Sequence, residues 1–155
     1  MDELPAIEHR VFIAAPPDVV YRTLTTAAGW DGWFTQGTVL HAQPGGRFDL
    51  RWRGSGPYGV DAEDHATVRE VVPDKRFAFQ WNAGSAGGPT LVTIELAAEA
   101  DGTRLTLTDG GHTPDQAGLN LFAECSVGWG EALTLLKFYL EHGLTYRSAS
   151  QAARP

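Results

Sequence analysis

The residues of this sequence that could carry chemistry are few, and none of them forms a recognisable catalytic or metal-binding motif. His65 and His112 could act as acid–base groups, Asp49 or Glu63 could pair with one of them, and Cys125 is the single cysteine. The sequence contains no nucleophile–base–acid set, no metal-spaced His/Cys cluster and no phosphate-binding glycine loop. It therefore predicts no catalytic residue, no metal and no cofactor, and an enzyme is the less favoured class.

Each of these residues also has a structural interpretation, which we favour. His65 shares its strand parity with polar Thr67, so its side chain is expected to point to solvent. His112 follows two glycines near the rim of any pocket and is expected to be a surface histidine. Cys125 lies on the apolar face of a long helical segment, which indicates a buried structural thiol, and a single cysteine excludes an internal disulfide. By parity, Asp49 faces outward.

Charge excludes some partners. Arg47, Arg51 and Arg53 lie on one face of a predicted strand and could bind an acidic partner, although a solvated face is the interpretation we favour. The net charge is -7 and no Lys/Arg run is present, which argues against nucleic acid and against an anionic membrane surface. No segment approaches the ~20 apolar residues of a membrane span, and the first ten residues lack a signal-type apolar run, so a cytoplasmic location is expected.

Aromatic content is the strongest compositional signal, with five tryptophans in 155 residues. A heavily aromatic core would explain them, and so would a cavity with aromatic walls, which is the interpretation we favour. Apolar pockets with few polar groups suit small hydrophobic ligands, and Trp faces suit flat aromatic ones. The predicted ligand-binding residues are Trp30, Trp33, Phe34, Phe48, Leu50, Trp52, Phe79, Trp81, Phe122, Trp129 and Leu133.

A long amphipathic helix over residues 119–140 must position many of these side chains, because its apolar residues recur three or four apart. Its start has two interpretations: Asn120 caps it directly, or Thr113 caps an earlier start that includes a break at Gly118. Gly143 is the predicted left-handed stop. Trp129 is flanked by a glycine on each side, and each of these costs about 1 kcal/mol in a helix, so a packing or ligand reason is expected.

The rest of the chain predicts a strand from residue 7, a helix from about residue 16, a short aromatic helix over residues 30–34, and then period-two strands up to residue 109. Val68 and Val71 differ in parity, which indicates a bulge between them. The simplest packing is an α+β fold in which a curved antiparallel sheet of about six to seven strands wraps around the long C-terminal helix, with the two short helices closing one end. One domain is expected over residues 7–143, with flexible termini over residues 1–6 and 144–155.

The order of these segments resembles the START-like superfamily, also called SRPBCC or the helix-grip fold. More narrowly, it is similar to the small bacterial relatives of the activator of the heat-shock-protein-90 ATPase. The segments that carry the resemblance are residues 13–21, 30–34, 45–48, 70–81, 102–107 and 128–141. The resemblance implies a cup-like fold with an internal cavity, but relatives of this kind include lipid carriers, cyclases and chaperone regulators, so it is weak evidence for function.

The sequence therefore predicts a protein that binds a small hydrophobic or aromatic molecule between the sheet and the C-terminal helix, without catalysis. One alternative is a cyclase- or hydrolase-type enzyme that acts in the same cavity and uses His65, His112 or Asp49. Another is a stress regulator linked to a chaperone, which rests on the family resemblance alone.

Overall fold

The computed structural model describes residues 3–55 and 60–145. The predicted loop at residues 54–57 lies partly outside these residues, and most of the predicted C-terminal tail, from residue 146 onward, lies outside them.

A seven-stranded antiparallel sheet forms the body of the fold. Its strands are β1 (Ile7–Ile13), β2 (Val39–Leu40), β3 (Arg47–Ser55), β4 (Val60–Val72), β5 (Arg76–Trp81), β6 (Thr90–Glu99) and β7 (Gly102–Gly110). In space the order is β1-β7-β6-β5-β4-β3-β2, so only the first strand joins the sheet out of sequence, beside the last one. The predicted α+β helix-grip architecture is confirmed.

The sheet has one apolar face, because its strands alternate as the sequence predicts. Phe48 and Leu50 on β3 are fully buried, and so are Phe77 and Phe79 on β5. The predicted bulge in β4 is confirmed, since the β4–β5 register shifts between Val68 and Glu70. This shift returns the apolar residues on both sides of the bulge to the core.

Two short helices, α1 (Pro17–Thr25) and α2 (Ala27–Trp33), follow β1. The Thr26 side chain caps α2 by accepting a hydrogen bond from the backbone N–H of Gly29 at 3.0 Å. The aromatic face of α2 is buried: Trp30 packs 5.3 Å from Phe48 between ring centroids and donates its indole N–H to the Leu24 carbonyl at 2.8 Å.

The long helix α3 (Gln116–His142) begins with a different cap from either predicted one. Asp115 is the N-cap, and its carboxylate accepts the Gly118 backbone N–H at 2.9 Å, while Thr113 donates its hydroxyl to that carboxylate at 2.6 Å. The earlier of the two predicted starts is therefore correct to within two residues, but both predicted caps were wrong, because the aspartate satisfies an orphan N–H of the first turn. No break occurs at Gly118. Gly143 ends the helix in the left-handed conformation, as predicted, at φ 68°.

The buried side of α3 lies in the same core cluster as the apolar face of the sheet. Trp129, Ala132, Leu133 and Leu136 supply this side of the helix, and all four are buried. None of the described helices has a stretch that is both long and apolar enough to cross a membrane.

Candidate functional site

A pocket of about 310 Å³ opens between α3 and the inner face of β3 and β5. Its size is near the lower end of the usual range for small-molecule sites. Besides five of the predicted residues, its wall consists of Asn82, Ser85, Leu121, Glu124, Cys125, Gly128 and Ala132.

The structure brings Phe34, Leu50, Trp52, Trp81 and Trp129 together around this pocket. The ring centroids of Trp81 and Trp129 are 5.0 Å apart, which joins the end of β5 to the middle of α3. The Phe34 and Trp52 rings meet edge to face at 5.4 Å, which joins the residue after α2 to β3. Residues that are far apart in the chain thus form one aromatic wall.

The remaining predicted residues do not line this pocket. Trp30, Trp33, Phe48, Phe79 and Leu133 are buried in the core behind it, where they support the wall.

Phe122 neither lines this pocket nor belongs to the core cluster. Its ring packs edge to face against the His112 imidazole, with the two centroids 5.5 Å apart. This contact lies at the start of α3, beside the loop that follows β7.

The two glycines beside Trp129 have different surroundings. Gly128 lines the pocket, and a Cβ added there would meet no atom within 4 Å. A Cβ added at Gly130 would instead lie 3.5 Å from Cε1 of His9 on β1. Gly128 therefore leaves open space beside the pocket, whereas a Cβ at Gly130 would make an ordinary van der Waals contact with the first strand.

A buried polar cluster lies directly behind the aromatic wall. Asp109, near the end of β7, is fully buried, and its Oδ2 accepts the indole N–H of Trp129 at 3.0 Å. Burial raises the pKa of Asp109, while Thr90, Trp129, His112 and Trp81 around the carboxylate act in the opposite direction. Asp109 was not predicted as a site residue from the sequence, because a lone aspartate near a strand end has no motif.

His112 and Cys125 complete the cluster. His112 is only 2% exposed, so the expectation of a surface histidine was wrong: the loop after β7 folds inward and Phe122 covers the ring. The Cys125 thiol is half-buried on the pocket wall, where Asn82 donates a long 3.7 Å hydrogen bond to its sulfur. Burial raises the pKa of Cys125 to about 11, so the thiol is protonated at neutral pH and is a poor nucleophile.

A second cluster lies on the opposite face of the sheet. Asp49 faces outward as predicted, yet it is only 2% exposed because Arg47 and Arg51 pair with its carboxylate and cover it. His65 is 67% exposed, in agreement with the prediction, and its Nδ1 lies 2.8 Å from Asp49 Oδ1. Burial alone would raise the pKa of Asp49, but hydrogen bonds from His65 and Arg47 outweigh it and lower the pKa.

The three arginines on β3 are thus occupied within the sheet itself. Arg51 and Arg53 also pair with Glu63 on β4, at 3.2 Å and 3.5 Å. This arrangement argues against the alternative of an arginine face that binds an acidic partner.

A larger depression of about 570 Å³ lies on the outside of the sheet near α1. Charged side chains, including Asp74, Lys75, Arg76, Glu95 and Arg104, contribute to its lining, and it contains no aromatic residue. The smaller aromatic pocket therefore matches a small-molecule site better.

Comparison with known proteins places the fold in a family. The family model described as Activator of Hsp90 ATPase homolog 1-like protein matches residues 14–141, which is most of the chain. No curated protein is similar enough in sequence to be matched.

Solved structures agree with the family match. The Aha1 dimer from Colwellia psychrerythraea is 23% identical, with 90% of this chain and 98% of that chain covered and a TM-score of 0.75. The protein SSP2350 from Staphylococcus saprophyticus is 24% identical, with 92% and 96% covered and a TM-score of 0.74. DynU16, a protein of the dynemicin biosynthetic locus, is 25% identical, with 89% of this chain and 48% of that chain covered and a TM-score of 0.72.

Proposed function

The chain belongs to the Activator of Hsp90 ATPase homolog 1-like protein family, and from this premise we propose that it binds a small hydrophobic or aromatic molecule in the pocket between the sheet and α3. The observation that carries the proposal is the meeting of Phe34, Trp52, Trp81 and Trp129 around one open space, although they come from four separate parts of the chain.

The chemistry of the wall indicates the class of ligand. Trp and Phe rings provide flat apolar surfaces, while Asn82, Ser85 and Glu124 provide a small number of polar groups. Such a combination suits a flat, mostly apolar molecule with one or two polar substituents. The modest volume argues for a single ring system or a short chain rather than a whole lipid.

A ligand panel tests the proposal. The purified protein is mixed with 2-naphthol, indole or decanoate, and its melting temperature and Trp emission are recorded. Binding is expected to stabilise the fold by about 2.7 kcal/mol at a hundredfold excess over the dissociation constant. It should also change the Trp emission, because Trp52, Trp81 and Trp129 line the pocket. Native mass spectrometry of freshly purified protein would show a retained ligand as extra mass.

Variants on one turn of α3 separate binding in the pocket from binding elsewhere. Gly128→Leu places a side chain beside the pocket and should abolish the thermal shift and the emission change, and it should not overpack the fold because a Cβ added there meets no atom within 4 Å. Gly130→Ala also removes a helical glycine but faces His9, so it should retain both signals. If the panel produces neither signal in the wild-type protein, the aromatic wall is solid core and the proposal fails.

A catalytic role is the second candidate, and the buried Asp109 and His112 directly behind the wall favour it. The neighbour from a biosynthetic locus is consistent with it. Mass spectrometry would detect chemical conversion of a panel compound by the wild-type protein. Conversion by the wild type, with the compound recovered unchanged after incubation with His112→Gln, would support a catalytic role over ligand binding alone.

The family description also names an ATPase activator, so a chaperone is a possible partner. We rank this third because the described surface offers no specific feature that supports it. An unchanged ATPase rate of the chaperone after addition of this protein would exclude it.

A further inference from the structure

Asp109, His112 and Cys125 converge behind the aromatic wall from three different segments: β7, the loop that follows it, and α3. One carboxylate oxygen, one ring nitrogen and the sulfur all lie within 4.8 Å of one another. Nothing in the proposed binding of an apolar ligand requires this arrangement, so it needs its own explanation.

The polar atoms of this cluster are buried and incompletely satisfied. Both ring nitrogens of the buried His112 form no hydrogen bond with any residue that the structure describes. Oδ1 of Asp109 has no partner at full hydrogen-bond geometry either, although the Thr90 hydroxyl and the Trp81 indole N–H lie beside its carboxylate. More than about 90% of buried polar groups in proteins have a partner, and an unmet one costs about 1–3 kcal/mol. The two unmet ring nitrogens of His112, which is only 2% exposed, therefore indicate that something else occupies the space beside them.

We propose that this cluster is a binding site for a divalent transition metal of the zinc type. The ligands are the Asp109 carboxylate, the His112 imidazole and the Cys125 thiolate. Nitrogen and sulfur donors together with one carboxylate are the set that zinc prefers, whereas magnesium and calcium prefer oxygen alone. Two anionic ligands and one neutral ligand also cancel the charge of a divalent cation, which makes its burial acceptable.

The geometry requires only local adjustment. In a tetrahedral zinc site the metal–ligand distances are about 2.0–2.3 Å, so neighbouring ligand atoms lie about 3.5 Å apart. Atoms that are within 4.8 Å of one another can reach this separation by side-chain rotation. Because Cys125 also lines the pocket, the fourth position is accessible to water or to a ligand bound there.

Neighbouring side chains already hold two of the metal ligands in place. Trp129 donates to Oδ2 of Asp109, and Asn82 donates to the Cys125 sulfur. Supporting hydrogen bonds of this kind orient metal ligands and raise affinity.

The outer-face cluster of Asp49, Glu63 and His65 provides a control within the same chain. It places three potential ligand atoms within the same 4.8 Å, but two of its members are exposed and arginines neutralise its carboxylates. A cation there would compete with guanidinium groups, so the proposal predicts no binding at that cluster.

The test uses full-length protein stripped with a chelator, titrated first with Co²⁺ and then with Zn²⁺. One equivalent of Co²⁺ should give a thiolate-to-cobalt charge-transfer band, and one equivalent of Zn²⁺ should remove it. Cys125→Ser should lose that band and bind zinc at least about a hundredfold more weakly, because even outer-shell changes cost about 10–100-fold. His112→Gln should weaken binding similarly, whereas His65→Ala should bind as the wild type does.

Each result of this titration either supports or overturns the metal site. A charge-transfer band at one equivalent that disappears in Cys125→Ser and persists in His65→Ala supports the site. The absence of the band in folded wild-type protein overturns it, and ordered water would then satisfy the cluster. Binding that survives Cys125→Ser, or that is lost in His65→Ala, also overturns it. If His112→Gln fails to fold by circular dichroism, the wild-type spectrum and Cys125→Ser still decide the question.

Discussion

Asp49 and Asp109 are both almost fully buried, yet they sit on opposite faces of the sheet in opposite surroundings. Arg47, Arg51 and His65 cover Asp49, whereas Asp109 lies under Trp129 with no arginine or lysine paired to it among the described residues. The pKa of Asp49 is lowered, while that of Asp109 is raised.

The comparison shows that the groups covering a carboxylate, more than the depth at which it lies, set its pKa and its effect on stability. On the outer face, long cationic side chains bury the carboxylate and stabilise its charge. On the inner face, apolar packing of α3 against the sheet buries it and disfavours its charge. The outer cluster is thus held by charges, and the inner cluster is held by the core around it.

The largest expected effect comes from loosening the core behind the inner cluster. Leu133 lies one helical turn beyond Trp129 and is buried in the same cluster. Leu133→Ala should lower the free energy of unfolding by about 2–5 kcal/mol in a chemical denaturation experiment, because it leaves a cavity.

The matched control for Leu133→Ala is Val127→Ala on the same helix, because Val127 is 72% exposed. It should change stability by no more than about 0.5 kcal/mol. If the two substitutions lower the free energy of unfolding equally, the packing of α3 against the sheet through Leu133 is contradicted.

An intermediate effect is expected from neutralising each aspartate in the presence of a chelator at pH 7. Asp49→Asn leaves Arg47 without its anionic partner and leaves Arg51 paired with Glu63 alone. It should destabilise the fold by about 1–2 kcal/mol, less than for a fully buried pair because both arginines are partly exposed. Asp109→Asn keeps an oxygen that accepts from Trp129 and removes a buried charge.

Asp109→Asn should therefore leave the urea midpoint unchanged or raise it. The two midpoints, measured side by side, decide whether the clusters differ as proposed. Destabilisation of the same size by both substitutions would remove the contrast between them.

The smallest effect concerns pH. The hydrogen bond to Asp49 raises the pKa of His65 in the folded protein. A histidine of this kind contributes stability that is fully present below its unfolded pKa of about 6.5 and is lost as the pH rises through the folded value. His65→Ala should therefore lower the urea midpoint more at pH 5.5 than at pH 8.5.

His41→Ala, which removes another exposed imidazole, serves as the control for the His65 experiment. Its effect on the midpoint gives the baseline for the loss of an exposed imidazole. If His65→Ala lowers the urea midpoint by the same amount at both pH values, the charge of His65 beside Asp49 makes no contribution to stability.

Several features of the molecule could be predicted from local sequence, because they depend on neighbours along the chain. Strand alternation identified the inward Phe48 and Leu50, and the parity change between Val68 and Val71 identified the bulge. The end of α3 at Gly143 followed from glycine's access to the left-handed conformation. The start of α3 was missed, because Thr113, Asp115 and Asn120 can all cap a helix and only their geometry decides between them.

The site depended on the tertiary structure. Sequence periodicity assigns a side chain to one face of a helix or strand. It does not show whether that side chain then borders a cavity or packs in the solid core. Hence Trp30 and Trp129, which look alike in the sequence, are both buried in the core, but only Trp129 also forms part of the pocket wall. Asp109, His112 and Cys125 have no recognisable spacing, and they meet only because α3 folds back across the sheet. The sequence thus determined the helices and strands and which of their faces are buried. The packing of elements that are distant in the chain determined which polar side chains are buried together, because the burial of a polar group depends on its neighbours in space and not on its residue type.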